Sequence, residues 1–264
     1  MMFTGDATIE WWAIILLCLV ALVAGWVDAV SGGGGLIQVP ALLLTVPASQ
    51  PATALGTNKV SSVFGTFAAA ITYARREPPD VRTALPMAFA AFGGSAAGAL
   101  VALRLPVEVL RPIVLIALAS VWVLIAVRPT WGIREGDAVS RRRRMGTAVV
   151  GGAGIGFYDG MLGPGTGAFL IVLLVAALGY SYLRASGTAK IVNVGTNVAA
   201  IIIFGLGGSI LWLVGVAMGA ANIVGGVIGA RTALARGSGF VRIVLLVVVA
   251  VLLVTLAWDT WRTW

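Results

Sequence analysis

The sequence predicts an all-α, polytopic membrane protein made of two inverted-topology repeats, each with about five hydrophobic segments. Three observations predict this fold class: the composition, a repeated glycine-rich run and the placement of the basic residues. Hydrophobic residues make up 59% of the 264-residue chain and charged residues 11%, whereas about 25% of the residues of a soluble domain are charged. At ~20 residues per span, the chain has room for roughly eight to ten segments and for no sizeable soluble domain.

The composition also argues against several classes of function. The chain has no His, and its single Cys, Cys18, lies in an apolar run, so disulfides, thiolate clusters and imidazole metal sites are not expected. We expect neither a cofactor nor a metal. The net charge of +8 could indicate nucleic acid as a partner, but the basic residues lie between apolar runs, as the positive-inside rule predicts. We therefore expect contact with membrane lipid and none with nucleic acid.

Five apolar segments in the first half of the chain are followed by five in the same order in the second half. They are residues 11–30, a short piece 36–46, 52–74, 83–103 and 112–127, then 146–161, a short piece 168–179, 185–206, 210–230 and 241–258. No Lys or Arg precedes the first segment, which is therefore predicted to be a retained span and not a cleaved signal peptide. The short pieces are too short to cross ~30 Å as straight helices. Each is predicted to form a broken or re-entrant hairpin with the segment before it, turning at a glycine-rich elbow.

A glycine-rich run recurs at a shift of 131 positions. Residues 25–35 align without gaps with residues 156–166, so that Asp28 lies opposite Asp159. Further along, Lys59 lies opposite Lys190 in the same register. An Asp and a Lys that both recur at one spacing indicate a duplicated unit.

The basic residues predict the orientation of the two repeats. Six lie in the central loop 128–144 and three in residues 75–82, whereas residues 207–209 contain none. The positive-inside rule places the first two loops in the cytoplasm, and counting spans from them places residues 207–209 and both termini outside. Because residues 75–82 and 207–209 occupy the same place in the two repeats, the repeats are predicted to be inverted. The predicted domains are an N-terminal membrane repeat (1–130), a basic cytoplasmic loop (131–145) and a C-terminal membrane repeat (146–264).

Two further features have structural interpretations. The four arginines at 141–144 are interpreted as a topology anchor, with a lipid-binding or regulatory patch as the alternative. Small-residue spacing lets helix backbones approach closely, either within the chain or between the protomers of a homodimer. The glycines concerned are Gly93, Gly94, Gly98, Gly225, Gly226 and Gly229.

Each repeat combines an Asp before an elbow, backbone N–H donors at the elbow and a Lys in the next segment. Helix N-termini carry about half a positive charge, and discontinuous helices in inverted-repeat transporters point them at substrate near the midplane. This combination suits a small anion. The predicted substrate-binding residues are Gly33, Gly34, Gly35, Thr57, Asn58, Lys59, Gly165, Thr166, Thr188, Lys190, Asn193 and Asn197.

Asp28 and Asp159 are predicted to couple an ion to transport or to pair with the lysines. A charged side chain near the bilayer centre costs roughly 2.5 to 3.5 kcal/mol on insertion scales, which favours a functional reason for each. The alternative is that Asp28 with Lys59, and Asp159 with Lys190, form purely structural pairs.

Four stretches of the chain form recognisable motifs. They are Gly-Gly-Gly-Gly-Leu-Ile-x-x-Pro at 32–40, Ala-Leu-Gly-Thr-Asn-Lys at 54–59, Gly-Phe-Tyr-Asp-Gly-x-x-Gly-Pro-Gly-Thr-Gly at 156–167 and Gly-Thr-Ala-Lys at 187–190. Together they resemble the TauE/SafE permease family. The resemblance covers nearly the whole chain; Gly187, where we expect Thr or Ser, is a small departure. It implies a multi-pass protein of the bacterial inner (cell) membrane that transports, and usually exports, sulfur-containing anions such as sulfite, sulfoacetate or other organosulfonates.

Two alternatives stay open at this point. A passive anion channel would use the same residues. An intramembrane aspartyl hydrolase would use two membrane aspartates, and the pair Tyr158-Asp159 resembles the residues that such a hydrolase uses. Such a hydrolase needs a Gly-x-Gly-Asp sequence, which this chain lacks, and two carboxylates close enough to share a proton. We therefore do not expect an enzyme.

Overall fold

The first half of the chain forms a small hairpin, four helices and a further helical stretch at residues 122–127 in the computed structural model, which describes residues 2–4, 7–46, 51–104, 119, 122–137 and 139–263. Strands β1 (Met2–Thr4) and β2 (Ala7–Ile9) pair antiparallel, a hairpin that the segment pattern did not predict. The helices are α1 (Trp11–Ser31), α2 (Gly35–Thr45), α3 (Pro51–Ala74) and α4 (Val81–Ala102). Of the predicted segment 112–127, residues 122–127 are helical, and most of the remainder lies outside the described residues.

The second half is also helical and follows the predicted segments. Its helices are α5 (Arg141–Gly146), a π-helical turn (Thr147–Gly151), α6 (Gly152–Met161), α7 (Thr166–Leu178), α8 (Tyr182–Leu206) and α9 (Trp212–Thr263). The first three run on from one another, because the residues at their junctions have helical dihedral angles. Helix α9 is interrupted at Gly237, whose φ of 81° is not helical, so its two arms correspond to the last two predicted segments.

The all-α polytopic class is confirmed. Within the described ranges, four helical stretches are long and apolar enough to cross a membrane: Trp11–Ser31, Val81–Ala102, Tyr182–Leu206 and Trp212–Thr255. Large apolar side chains such as Phe89, Val150 and Leu206 are exposed, while Lys59 and Lys190 are buried. An apolar exterior around buried charges is the arrangement that a lipid environment favours.

Each sequence unit contains one glycine elbow. The first elbow separates α1 from the short helix α2, and the second separates α6 from α7. The first elbow (residues 32–34) begins where Gly32, with φ of 78°, ends α1 and donates its N–H to the main-chain oxygen of Asp28. In the second elbow (residues 162–165), Gly163 and Gly165 have φ of 88° and 81°. These left-handed conformations are open to glycine at little cost and cost other residues roughly 1–2 kcal/mol.

The first elbow crosses the junction of the second elbow and α7 in backbone contact. A Cβ atom placed on Gly32 would lie 2.2 Å from the carbonyl carbon of Gly167, and one on Gly167 would lie 2.3 Å from the Cα atom of Gly32. Only glycine at both positions permits this approach. The crossing brings the end of α1 next to the start of α7.

The helices of the two sequence units interlock in a reciprocal way. Helix α1 packs against α9, and α6 packs against α4. A Cβ on Gly94 would lie 2.2 Å from the main-chain oxygen of Ala153. A Cβ on Gly225, at the equivalent position 131 residues later, would lie 2.0 Å from the main-chain oxygen of Leu22, which is the equivalent of Ala153. The same packing therefore occurs twice with the units exchanged. The inversion relative to the membrane, the domain boundaries and the homodimer stay predictions.

These contacts predict how glycine substitutions on α4 affect stability. We expect Gly94→Ala to lower the melting temperature, because its Cβ would overlap the backbone of α6 and overpacking costs about 1–3 kcal/mol. Gly93→Ala is the matched control, since no heavy atom beyond its own stretch of helix lies within 4 Å of the position its Cβ would take. The control should be neutral or slightly stabilising, because Ala is the better helix former. Melting curves of the two purified variants in detergent test this; equal shifts would contradict the close packing of α4 on α6.

Candidate anion-binding site

Four charged side chains meet at the crossing of the elbows and form two ion pairs. Lys59 Nζ lies 2.7 Å from Asp159 Oδ2, and Lys190 Nζ lies 2.8 Å from Asp28 Oδ2. The Lys side chains are 3% and 0% exposed, and those of Asp159 and Asp28 are 6% and 18% exposed. Buried charges such as these are stable only when paired.

Each pair joins one sequence unit to the other, so the interpretation that Asp28 pairs with Lys59, and Asp159 with Lys190, is wrong. The pairs join different units because the elbows cross. Because the end of α1 crosses into the other unit, Asp28 pairs with Lys190 on α8 and not with Lys59 on α3 of its own unit. The end of α6 is placed reciprocally, so Asp159 faces α3.

Lys190 binds the C-terminal end of α1. It donates to the main-chain oxygen of Asp28 as well as to the carboxylate, and Thr66 Oγ1 donates to the same carboxylate at 3.4 Å. A cation at the C-terminus of a helix also interacts favourably with the helix dipole. The pair therefore stabilises the point at which α1 ends.

Lys59 lies against the second elbow. A Cβ on Gly163 would lie 3.0 Å from Lys59 Nζ, so the ammonium approaches the elbow backbone directly. The elbow is held by two side chains: Tyr158 donates its hydroxyl to the main-chain oxygen of Pro164, and Thr166 Oγ1 donates to that of Gly163 at 2.8 Å. The backbone next to the ammonium is thus held in a fixed shape.

A small polar cavity of about 20 Å³ lies between the two elbows and helices α3 and α8. This volume is enough for about one water molecule. On α3, Asn58, Ser62 and Thr66 follow at intervals of four residues and share one face; Asn193 and Asn197 do the same on α8. The lining residues are Asp28, Gly32, Gly35, Asn58, Lys59, Ser62, Thr66, Asp159, Gly163, Thr166, Gly167, Asn193 and Asn197.

Eight of the fourteen residues singled out from the sequence line this cavity: Asp28, Gly35, Asn58, Lys59, Asp159, Thr166, Asn193 and Asn197. Gly33, Gly34, Thr57, Gly165, Thr188 and Lys190 do not. Thr57 accepts a hydrogen bond from the Leu211 N–H at 3.0 Å. A Cβ on Gly34 would lie 2.6 Å from the main-chain oxygen of Ala24, and Gly165 precedes the first turn of α7. These three positions therefore make structural contacts, and substrate binding by them stays a prediction.

Sequence reasoning missed five lining residues. Ser62 and Thr66 lie one and two turns beyond Asn58, so helical spacing alone identifies them. Gly32, Gly163 and Gly167 lie in or beside the glycine runs, and their contacts depend on how the elbows cross. No sequence signal gives that crossing.

A second polar cluster lies away from the cavity. It joins the start of α4 to the turn between α7 and α8. Asp80 accepts hydrogen bonds from the hydroxyls of Tyr180 and Thr83, and Arg184 forms a salt bridge to Glu135 at 3.1 Å. Partial burial acts to raise the pKa of Asp80, but the hydrogen bonds outweigh it and hold that pKa below its usual value. Burial, together with the neighbouring Asp80, raises the pKa of Tyr180 to about 12. The cluster ties α4 to the α7–α8 turn.

Comparison with known proteins identifies relatives over most of the chain. A family profile described as "Sulfite exporter TauE/SafE" matches residues 17–256. Probable membrane transporter protein ORF9 of Sinorhizobium sp is 36% identical over 236 residues, 89% of this chain and 88% of that protein. Probable membrane transporter proteins of Haemophilus influenzae and of Escherichia coli K12 (YfcA) are 33% and 32% identical, over 89% and 88% of this chain and 90% and 85% of their own lengths. No solved structure matches at a significant level.

Proposed function

The chain belongs to the sulfite exporter TauE/SafE family of membrane transporters, and on that premise we propose that it exports small sulfur-containing anions. The substrates proposed are sulfite, sulfoacetate or other organosulfonates. The chain is a multi-pass membrane protein and a transporter, not an enzyme. Its proposed location is the bacterial inner membrane with both termini outside, and its relatives come from bacteria.

The observation that carries the proposal is the position of the Lys59 ammonium at the cavity between the elbows. The cavity offers amide donors from Asn58, Asn193 and Asn197 and a hydroxyl from Ser62. A sulfonate or sulfite presents three oxygens, which accept hydrogen bonds from one cation and several neutral donors at once. The Asp28 and Asp159 carboxylates also line the cavity, so this donor set suits an oxyanion that takes the place of a carboxylate.

Binding requires the site to rearrange. A cavity of about 20 Å³ holds about one water, so the elbows must separate before a sulfur oxyanion enters. The anion then takes the place of the Asp159 carboxylate beside Lys59. Alternating access in transporters with inverted repeats is largely a rigid-body movement of one repeat against the other, and the crossed ion pairs lie between the two units.

A carrier accounts for these features better than a passive channel, which would need a continuous wet path. The small cavity and the closed elbows favour the carrier. Export follows from the membrane potential: an inside-negative potential favours the exit of an anion by about 2.3 kcal/mol per charge per 100 mV. A monovalent anion can therefore leave the cell with no coupling ion, whereas uptake would need protons or sodium.

Thermal-shift measurements on the purified protein test whether a sulfur oxyanion binds. Sulfite, thiosulfate, sulfoacetate and taurine are compared with acetate as the carboxylate control. A ligand at 100 times its dissociation constant stabilises the folded state by about 2.7 kcal/mol, so we expect a clear rise in melting temperature with at least one sulfur anion and none with acetate. No shift with any sulfur anion, or an equal shift with acetate, would contradict the proposal.

The proposed orientation predicts which loops an impermeant thiol reagent labels in intact cells. In a Cys18→Ser background, Gly208→Cys should be labelled without lysis, because residues 207–209 face outside. Arg134→Cys, in the central loop, is the matched control and should be labelled only after lysis. Labelling of position 208 only after lysis would rule out the inverted arrangement.

A further inference from the structure

We infer that the two ion pairs, although equivalent in sequence, have different roles: Lys59 is the cation that contacts the transported anion, and Lys190 is a structural cation. The inference rests on the proposed function, because it assigns roles within the same site. It also predicts a single anion-binding cation where the sequence repeat suggests two.

Under the 131-residue shift the cavity lining is symmetric except at Asn58, Lys59 and Gly167. Their equivalents Ala189, Lys190 and Leu36 do not line it. In five pairs of equivalent positions, both members line the cavity: Asp28 and Asp159, Gly32 and Gly163, Gly35 and Thr166, Ser62 and Asn193, Thr66 and Asn197. Lys59 lines it but its equivalent Lys190 does not. The repeat therefore places ten groups around the cavity in matched pairs, and among the charged residues the symmetry is lost only at the lysines.

The contacts of Lys190 account for its absence from the cavity. Its side chain is 0% exposed, and its ammonium donates to both the main-chain oxygen and the carboxylate of Asp28. Two donors of one ammonium thus go to a single residue at the end of α1. Moving Lys190 toward a substrate would break both bonds and leave Asp28 without its counter-ion.

Lys59 is bound less completely. Within the described residues its ammonium pairs with the carboxylate of Asp159 alone, and an ammonium has three donors. Asn58 beside it also lines the cavity, whereas the equivalent position in the second unit is Ala189, which has no donor. Among the described residues, Lys59 is therefore the lysine that lines the cavity together with neutral donors.

This division predicts that Asp159 competes with the substrate. A bound anion and the Asp159 carboxylate would occupy the same side of Lys59, so removing the carboxylate's charge should help the anion. We expect Asp159→Asn to tighten sulfite binding about tenfold. The equivalent substitution Asp28→Asn should not tighten it, because Lys190 does not face the cavity.

Two neutralised pairs test the assignment without leaving an unpaired charge. We expect Lys59→Met with Asp159→Asn to weaken sulfite binding at least about 100-fold, and Lys190→Met with Asp28→Asn to weaken it by less than about tenfold, as measured by calorimetry. Equal losses, or a larger loss at Lys190, would overturn the inference. Failure of the wild-type protein to bind any sulfur oxyanion would instead contradict the proposed function.

Thiol labelling tests the same division independently of sulfite binding. In a Cys18→Ser background, Lys59→Cys with Asp159→Asn and Lys190→Cys with Asp28→Asn are treated with the anionic reagent 2-sulfonatoethyl methanethiosulfonate. We expect the thiol at position 59 to react at least about ten times faster than the thiol at position 190. Equal rates, or faster reaction at position 190, would overturn the inference even if sulfite proved not to be a ligand.

Discussion

Lys59→Ala is expected to abolish binding of sulfur oxyanions, with the affinity falling at least about 100-fold, while the protein still inserts and purifies. The substitution removes the buried charge that faces the cavity, and a 100-fold loss corresponds to about 2.7 kcal/mol. That is the size of a charge-assisted hydrogen bond in a buried site. Calorimetric titration of the purified variant with sulfite measures it.

Lys59→Arg should restore binding poorly. The guanidinium is larger and planar, and the ammonium already lies against the backbone of Gly163. Arg231→Ala is the control that removes one exposed positive charge elsewhere, and it should bind sulfite as the wild type does. Unchanged affinity in Lys59→Ala would make this lysine structural.

Asp28→Asn is expected to destabilise the protein by about 3–5 kcal/mol, because it leaves Lys190 buried without a counter-ion. Lys190→Met in the same chain should recover most of this loss, since neither charge then remains. A double-mutant cycle therefore shows strong coupling between positions 28 and 190. A second cycle should show the same between positions 59 and 159.

The control cycle pairs positions 28 and 59, which belong to the same sequence unit. Its coupling should be small, since the two side chains have different counter-ions. Melting temperatures of the purified variants supply all three cycles. Strong coupling between 28 and 59, with weak coupling between 28 and 190, would contradict the crossed pairing.

The sequence predicts which charges matter because their chemistry recurs at one spacing. Asp28 and Asp159, with Lys59 and Lys190, stand out since charges in apolar segments are costly. Glycine-rich runs likewise predict where the helices break, and α2 and α7 do follow such runs. These features depend on local properties of the chain, which a sequence contains directly.

The pairing of the charges could not be predicted in the same way. Spacing within one unit does not say which unit's helix an aspartate faces, and that depends on the contact between Gly32 and Gly167. The role of Thr57 is another example: it is adjacent to Asn58 in sequence but lies on a different face of α3, where it accepts a hydrogen bond from the backbone of Leu211. Tertiary packing decides both.

Potential-driven flux of sulfite from proteoliposomes tests the central claim, uncoupled export of a sulfur anion, most directly. Vesicles loaded with labelled sulfite are given a potassium-valinomycin potential at fixed pH, and efflux is compared for the wild type and Asp159→Asn. We expect an inside-negative potential to accelerate efflux in both proteins, because the anion itself carries the charge. The contradicting result is a flux that does not depend on the potential, depends on a pH gradient and is lost in Asp159→Asn. It would rule out uncoupled export and assign proton coupling to this aspartate.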